Sequence, residues 1–312
     1  MLSEFFTTAV VNNEIEVFPL FMGFVGGLAL FLFGMEQMAS ALKKVAGTGM
    51  KKVLVRLTAN RFMGVLTGAF VTTVVQSSSV TTVLLVGFIS ADLMSMAQSV
   101  GVIMGANIGS TVTAQIIAFK VTKYALLLVA FGFVLSFVSK SQRMKQAGQA
   151  LFGLGLMFFG MTVMGDAMLP LRSYTPFINL MTMMEQPIYG ILLGAGFTAL
   201  VQASSATTGV VIVLASQGMI SLPAGIALCL GANIGTCVTA FLAAIGKPRE
   251  ALRAAVVHVL FNVLGVLLWF AFISELADFV RWLSPSSPLT AGSAVLATDA
   301  PRQIANAHSA FN

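Results

Sequence analysis

Val75-Gln-Ser-Ser-Ser-Val-Thr-Thr82 and Val201-Gln-Ala-Ser-Ser-Ala-Thr-Thr208 are one phrase written twice, 126 residues apart. The same offset lays Gly105-Ala-Asn-Ile-Gly-Ser-Thr-Val-Thr-Ala114 on Gly231-Ala-Asn-Ile-Gly-Thr-Cys-Val-Thr-Ala240, with eight of ten residues identical. It also lays Gly27-Leu28 and Phe33-Gly34-Met35 on Gly153-Leu154 and Phe159-Gly160-Met161. Generic resemblance between apolar helices would match Leu, Val and Ala. Matching Gln, Asn and Gly at fixed spacing marks an internal duplication.

Each copy has the same order of segments. An apolar stretch long enough to span a bilayer comes first (17–39 and 149–169), then a more polar segment (43–61 and 170–187). A long uncharged stretch with a polar centre follows (62–90 and 188–216). Two further apolar segments close the unit (95–118 and 122–139; 222–245 and 250–272). Phe62–Val75 and Val80–Ser90 are each too short to cross alone, since a span needs about 17–25 residues. Gln76 and three serines separate them, so the stretch is expected to be a re-entrant helical hairpin with a polar tip. Broken backbone at that depth requires protein or a water-filled cavity around it.

Composition agrees. The chain has 312 residues, of which 57% are hydrophobic and 9% charged. Soluble domains are about a quarter charged, so a soluble enzyme is excluded. With 25 Phe and 18 Met, disorder is excluded as well. Cys229 and Cys237 read as small apolar fillers rather than a disulfide scaffold. The first 42 residues hold no Lys or Arg, unlike a signal peptide. The reading is an all-α polytopic membrane protein built from two inverted-topology repeats. Residues 17–145 form the first and 146–272 the second. Residues 273–312 are a C-terminal segment, expected to stop before a further membrane helix.

Three crossings per repeat turn the second copy upside down. Lys43, Lys44, Lys51, Lys52, Arg56, Arg61, Lys140, Arg143, Lys145, Lys247, Arg249 and Arg253 then share one side. Lys120, Lys123, Arg172, Arg281 and Arg302 share the other. This bias follows the positive-inside rule with the N-terminus outside, in a multi-pass protein of the cell (inner) membrane. It also accounts for the net charge of +6 without nucleic acid.

Inverted repeats with broken helices characterise secondary transporters, which bind substrate near the midplane. A half-helix starting near Ser78 or Ser204 points unpaired N–H groups at that midplane, where an anion is favoured. The serine hydroxyls add donors, and Gln76 and Gln202 add amide groups. Two such tips can surround one tetrahedral oxyanion. Asn107 and Asn233, with Ser110, Thr111, Thr113, Thr236 and Thr239, read as cation ligands or as supports for the hairpins. Glu36 and Asp166 fall at helix ends, where interfacial solvation accounts for them. His258 reads as a packing residue.

The two Gln-Ser-Ser phrases, each followed by Gly-Ala-Asn-Ile-Gly, resemble the paired repeats of type II sodium-dependent phosphate cotransporters. Ala254–Trp269 resembles the segment after the second repeat in that family. The resemblance covers residues 20–312. It implies inorganic phosphate as substrate, bound by Gln76, Ser77, Ser78, Ser79, Gln202, Ala203 (through its backbone N–H), Ser204 and Ser205. It implies sodium, the only metal, near Thr81, Thr82, Asn107, Thr207, Thr208 and Asn233. Sodium is then the coupling ion, with no covalently bound cofactor and no catalytic residue. The partners are phosphate, sodium and the lipid bilayer, with a homodimer as the candidate assembly.

Three departures accompany it. Ala203 stands where the first serine of the motif is expected. At the linear offset, Gly132, Phe133 and Ser136 occupy the places of a His, an acid and an Asn in animal relatives. The chain ends on His308-Ser-Ala-Phe-Asn312, echoing His258-Val-Leu-Phe-Asn262, a phrase expected to open another helix. Two alternatives stand beside the cotransporter: a phosphate exporter of the same fold, and an intramembrane serine hydrolase using Ser77–Ser79 with His258. The hydrolase needs one nucleophile activated by one base, and it does not predict a duplicated Gln-Ser-Ser with no duplicated His.

Overall fold

The computed structural model describes residues 10–11, 14–47, 60–119, 121–284 and 293–312. Most of the polar segment 43–61, with Lys51, Lys52 and Arg56, lies outside the described residues, as does Lys120.

The described residues are helical almost throughout. The first copy contributes α1 (Val17–Ala46), α2 (Arg61–Val75), α3 (Ser78–Ser90), α4 (Met96–Ile117) and α5 (Ala125–Val138). The second contributes α6 (Gln142–Met168), α7 (Thr175–Met183), α8 (Pro187–Val201), α9 (Ser204–Ser216), α10 (Leu222–Ala244) and α11 (Arg249–Phe270). Then come α12 (Ile273–Leu283) and α13 (Ser293–Phe311). Helix starts follow local chemistry. The Asn60 side chain accepts from the Phe62 N–H, and Ser95 with Gln98 makes a capping box for α4. Helices α1, α4, α6, α10 and α11 are long and apolar enough to cross a membrane, whereas α2, α3, α8 and α9 are short. Large apolar side chains such as Phe62, Leu66, Phe70, Leu192 and Leu200 are exposed, as the outward faces of a bundle in lipid are.

Glycine sets the helix packing. A Cβ at Gly27 would meet the Gly160 carbonyl, and one at Gly34 would meet the Gly153 carbonyl. The contacts run in opposite order, so α1 and α6 cross antiparallel, backbone against backbone. The pairs are also reciprocal: Gly27 faces the counterpart of Gly34, and Gly34 faces the counterpart of Gly27. Such exchange is the signature of a local two-fold. Where α2 meets α4 and α8 meets α10, the copies repeat the same contacts. A Cβ at Gly105 would strike the Val65 carbonyl on α2, and one at Gly231 would strike Ile191 on α8, the residue equivalent to Val65.

Helices α11 and α13 close the two halves. Ala251, Ala254 and Ala255 of α11 complete a core with Val71, Val75, Leu85 and Val102 of the first copy. Ala300, Ile304, Ala305 and Ala307 of α13 join the core built on α6, α9 and α10. The phrase His308–Asn312 begins fifteen residues into α13, which starts at Ser293, rather than opening a helix.

Candidate functional site

Both polar phrases break their helices in the same way. α2 ends at Gln76, which adopts φ +59° and ψ +23°; α8 ends at Gln202, with φ +59° and ψ +22°. This left-handed conformation is costly for a side chain with a Cβ, and each glutamine is tied down. Gln76 Nε2 donates to the Thr73 carbonyl, and its Oε1 accepts from the Thr113 hydroxyl at 3.0 Å. Gln202 Nε2 donates to Ala199, and its Oε1 accepts from Thr239. Thr113 and Thr239 thus brace the breaks from α4 and α10. Behind each tip a threonine pair links the two short helices, Thr72 to Thr81 and Thr198 to Thr207. Thr82 is likewise engaged, donating to the Ser78 carbonyl.

After each break a new helix begins, with N–H groups that lack intrahelical partners. In the first copy Ser77 is the N-cap, and its Oγ accepts from the Val80 N–H at 3.2 Å. In the second, Ala203 occupies the cap and offers no side-chain acceptor. Ser78 and Ser79 are buried, while Ser204 and Ser205 are half-buried.

The tips converge. One cavity of about 280 Å³ is lined by Gln76, Ser77, Ser78 and Ser79 from one break and Ala203, Ser204, Ser205 and Thr208 from the other. That volume holds a small oxyanion and a few waters, each water taking about 30 Å³. Ser110, Thr113 and His308 also line it. Of the other sequence-predicted residues, Gln202, Thr81, Thr82, Thr207, Asn107 and Asn233 stand outside the lining. Val75 and Ala114 complete this side of the cavity, and Leu32, Met35, Glu36, Ala39 and Lys43 of α1 form the facing wall. The five α1 residues trace a stripe about 16 Å long, so the cavity runs toward the end of α1 that carries Lys43 and Lys44.

The two asparagines have matched partners. Asn107 Nδ2 donates to Asn262 Oδ1 at 3.3 Å, and Asn262 Nδ2 donates to the His258 carbonyl. Asn233 Nδ2 donates to Asn312 Oδ1 at 2.9 Å, and Asn312 Nδ2 donates to the His308 carbonyl. The structural counterpart of His258-x-x-x-Asn262 is therefore His308-x-x-x-Asn312, not Gly132 and Ser136. Phe133 sits on the exposed face of α5, stacked on Phe137, and holds no equivalent place. The linear offset fails here because α11 packs on the hairpin of the first copy and α13 on that of the second. The residues after the two histidines are Val259 and Ser309, neither acidic.

Glu36 also departs from the sequence reading. It lies within α1, ten residues before Ala46, and faces the cavity rather than a helix end. The sequence put it near the end of an apolar stretch; only the packing of α1 against the tips shows what it faces. His308 was missed for the same reason.

A profile described as Na+/Pi-cotransporter matches residues 30–166 and 177–284. An uncharacterized protein of Bacillus subtilis (strain 168), YqeW, is 31% identical over 267 residues, covering 85% of this chain and 87% of that protein. The Escherichia coli (strain K12) protein named "Putative inorganic phosphate export protein YjbB" is 27% identical over 261 residues. The match takes in 83% of this chain and 48% of the Escherichia coli protein, so the chain spans about half that relative's length. Human sodium-dependent phosphate transport protein 2C is 45% identical over 84 residues, 26% of this chain and 14% of the human one. No solved structure matches.

Proposed function

The chain belongs to the Na+/Pi-cotransporter family, and from that premise we propose that it moves inorganic phosphate across the cell membrane in symport with sodium. Phosphate sits between the two tips, held by the hydroxyls and backbone N–H groups of Ser77, Ser78, Ser79, Ser204 and Ser205 and by the Ala203 N–H. Gln76 and Gln202 hold the breaks open and contribute amide groups. Sodium binds behind the tips among Thr81, Thr82, Asn107, Thr207, Thr208 and Asn233, where neutral oxygens suit a hard cation. The repeats are inverted, the tips are re-entrant, and access alternates around them. The antiparallel, reciprocal packing of α1 on α6 supports this arrangement. On the positive-inside distribution the N-terminus is outside and the Lys43 end of the cavity is cytoplasmic.

One observation carries the reading: two tips 126 residues apart line a single cavity with neutral donors. The test is purified protein in liposomes with labelled phosphate. An inward sodium gradient raises uptake and a potassium gradient does not. Ser78→Ala and Ser204→Ala each abolish uptake while leaving the protein folded. Uptake indifferent to sodium contradicts the coupling, and unchanged phosphate affinity in both variants contradicts the site.

A second reading, export of phosphate by the same site, draws support from the name of the Escherichia coli relative. Net efflux from phosphate-loaded vesicles under a physiological sodium gradient would select it over uptake.

A further inference from the structure

Among the described residues that line the cavity, Glu36 is the sole acid. It has no hydrogen bond or ion pair to any described residue, and its position breaks the duplication. The equivalent residue on α6 is Thr162, whose hydroxyl turns back to the Phe158 carbonyl. The other titratable groups on the cavity wall are Lys43, on α1 toward its end, and His308 on α13.

The remaining lining favours no one tetrahedral oxyanion strongly. Backbone N–H groups donate to any anionic oxygen, and serine hydroxyls rotate to donate or to accept, so they serve sulfate as well as phosphate. An ionised carboxylate only accepts. Inorganic phosphate and arsenate keep at least one proton at neutral pH, and that P–OH or As–OH can donate to Glu36. Sulfate and selenate keep none, so they would meet Glu36 with lone pairs and like charge. A site that hydrogen-bonds a substrate proton rejects the analogue lacking it, and a repulsive group sharpens the rejection.

We propose that Glu36 is a specificity-determining residue that admits protonated tetrahedral oxyanions and excludes sulfate. The proposal rests on the phosphate reading above and deepens it.

The test is equilibrium binding of labelled phosphate to the purified full chain at saturating sodium, with unlabelled competitors. Wild-type protein releases phosphate to arsenate but not to sulfate or selenate. In Glu36→Gln the repulsion is gone: sulfate competes, its apparent affinity rising about ten- to a hundredfold, while phosphate weakens. Glu36→Asp restores part of the exclusion. A Glu36→Gln protein that binds phosphate and still excludes sulfate overturns the proposal. So does a variant in which only the sodium dependence moves, which would make Glu36 a cation ligand. Wild-type protein displaced equally by sulfate and arsenate overturns it without any variant. Wild-type protein that binds no phosphate removes the phosphate reading itself, and the proposal falls with it.

Discussion

The first and second tips share a skeleton and differ in chemistry. Gln76 and Gln202 take the same left-handed conformation, tethered by equivalent threonines on equivalent helices. The glycines that let α2 meet α4 and α8 meet α10 abut equivalent carbonyls. Around the cavity the equivalence ends: Ser77 faces Ala203, Glu36 has Thr162 as counterpart, and Lys43 has Leu169. The backbone frame is therefore what the two halves hold in common. The lining has been free to diverge, and a single asymmetric substrate needs it to.

This comparison can be broken at its strongest point first. Gly105→Leu and Gly231→Leu drive a side chain into a neighbouring helix's backbone. Each should cost more than about 3 kcal/mol and give no monodisperse protein in detergent. If one is tolerated, the frames are not equivalent. Next, Gln76→Ala and Gln202→Ala each remove two hydrogen bonds at about 1 kcal/mol apiece, while the left-handed backbone stays as costly for alanine as for glutamine. Thermal unfolding should show similar losses of about 2 kcal/mol, with phosphate binding lost in both. Glycine at either position should recover part of the stability but not the binding. Unequal losses would show that one tether carries the tip.

The Ser77–Ala203 difference predicts a smaller effect. Ala203→Ser gives the second tip the missing N-cap and should raise its stability by up to about 1 kcal/mol; Ser77→Ala should lower the first by a similar amount. Differential scanning fluorimetry reads both. The smallest effect is expected at Gly196, which has open space beside it and whose counterpart is the exposed Phe70. Gly196→Phe should leave stability and uptake unchanged, and any loss would reveal a contact at that lipid-facing position.

Most of the frame was legible before the coordinates. Hydropathy and the 126-residue offset located α1 to α6 and α8 to α11 because both depend on local sequence; α7 fell in the segment read only as polar. The breaks were legible because Gln and Ser interrupt runs too short to span. Two features were not. Helix α13 carries Asp299, Pro301, Arg302, Gln303 and Asn306, too polar to read as a membrane segment, yet its apolar face completes the core of the second half. The roles of α11 and α13 were hidden as well, because each packs on a hairpin that its position in the chain does not indicate. Glu36 and His308 reach the cavity only through that tertiary packing.

The central claim, that two tips enclose one phosphate, is tested most directly by thiol protection. Val75→Cys and Ala203→Cys report one tip each without removing a serine hydroxyl, while the native Cys229 and Cys237 are buried. Phosphate with sodium should slow modification of both introduced thiols, and neither ligand alone should do so fully. Protection of one thiol with the other left fully reactive would contradict a site shared between the tips.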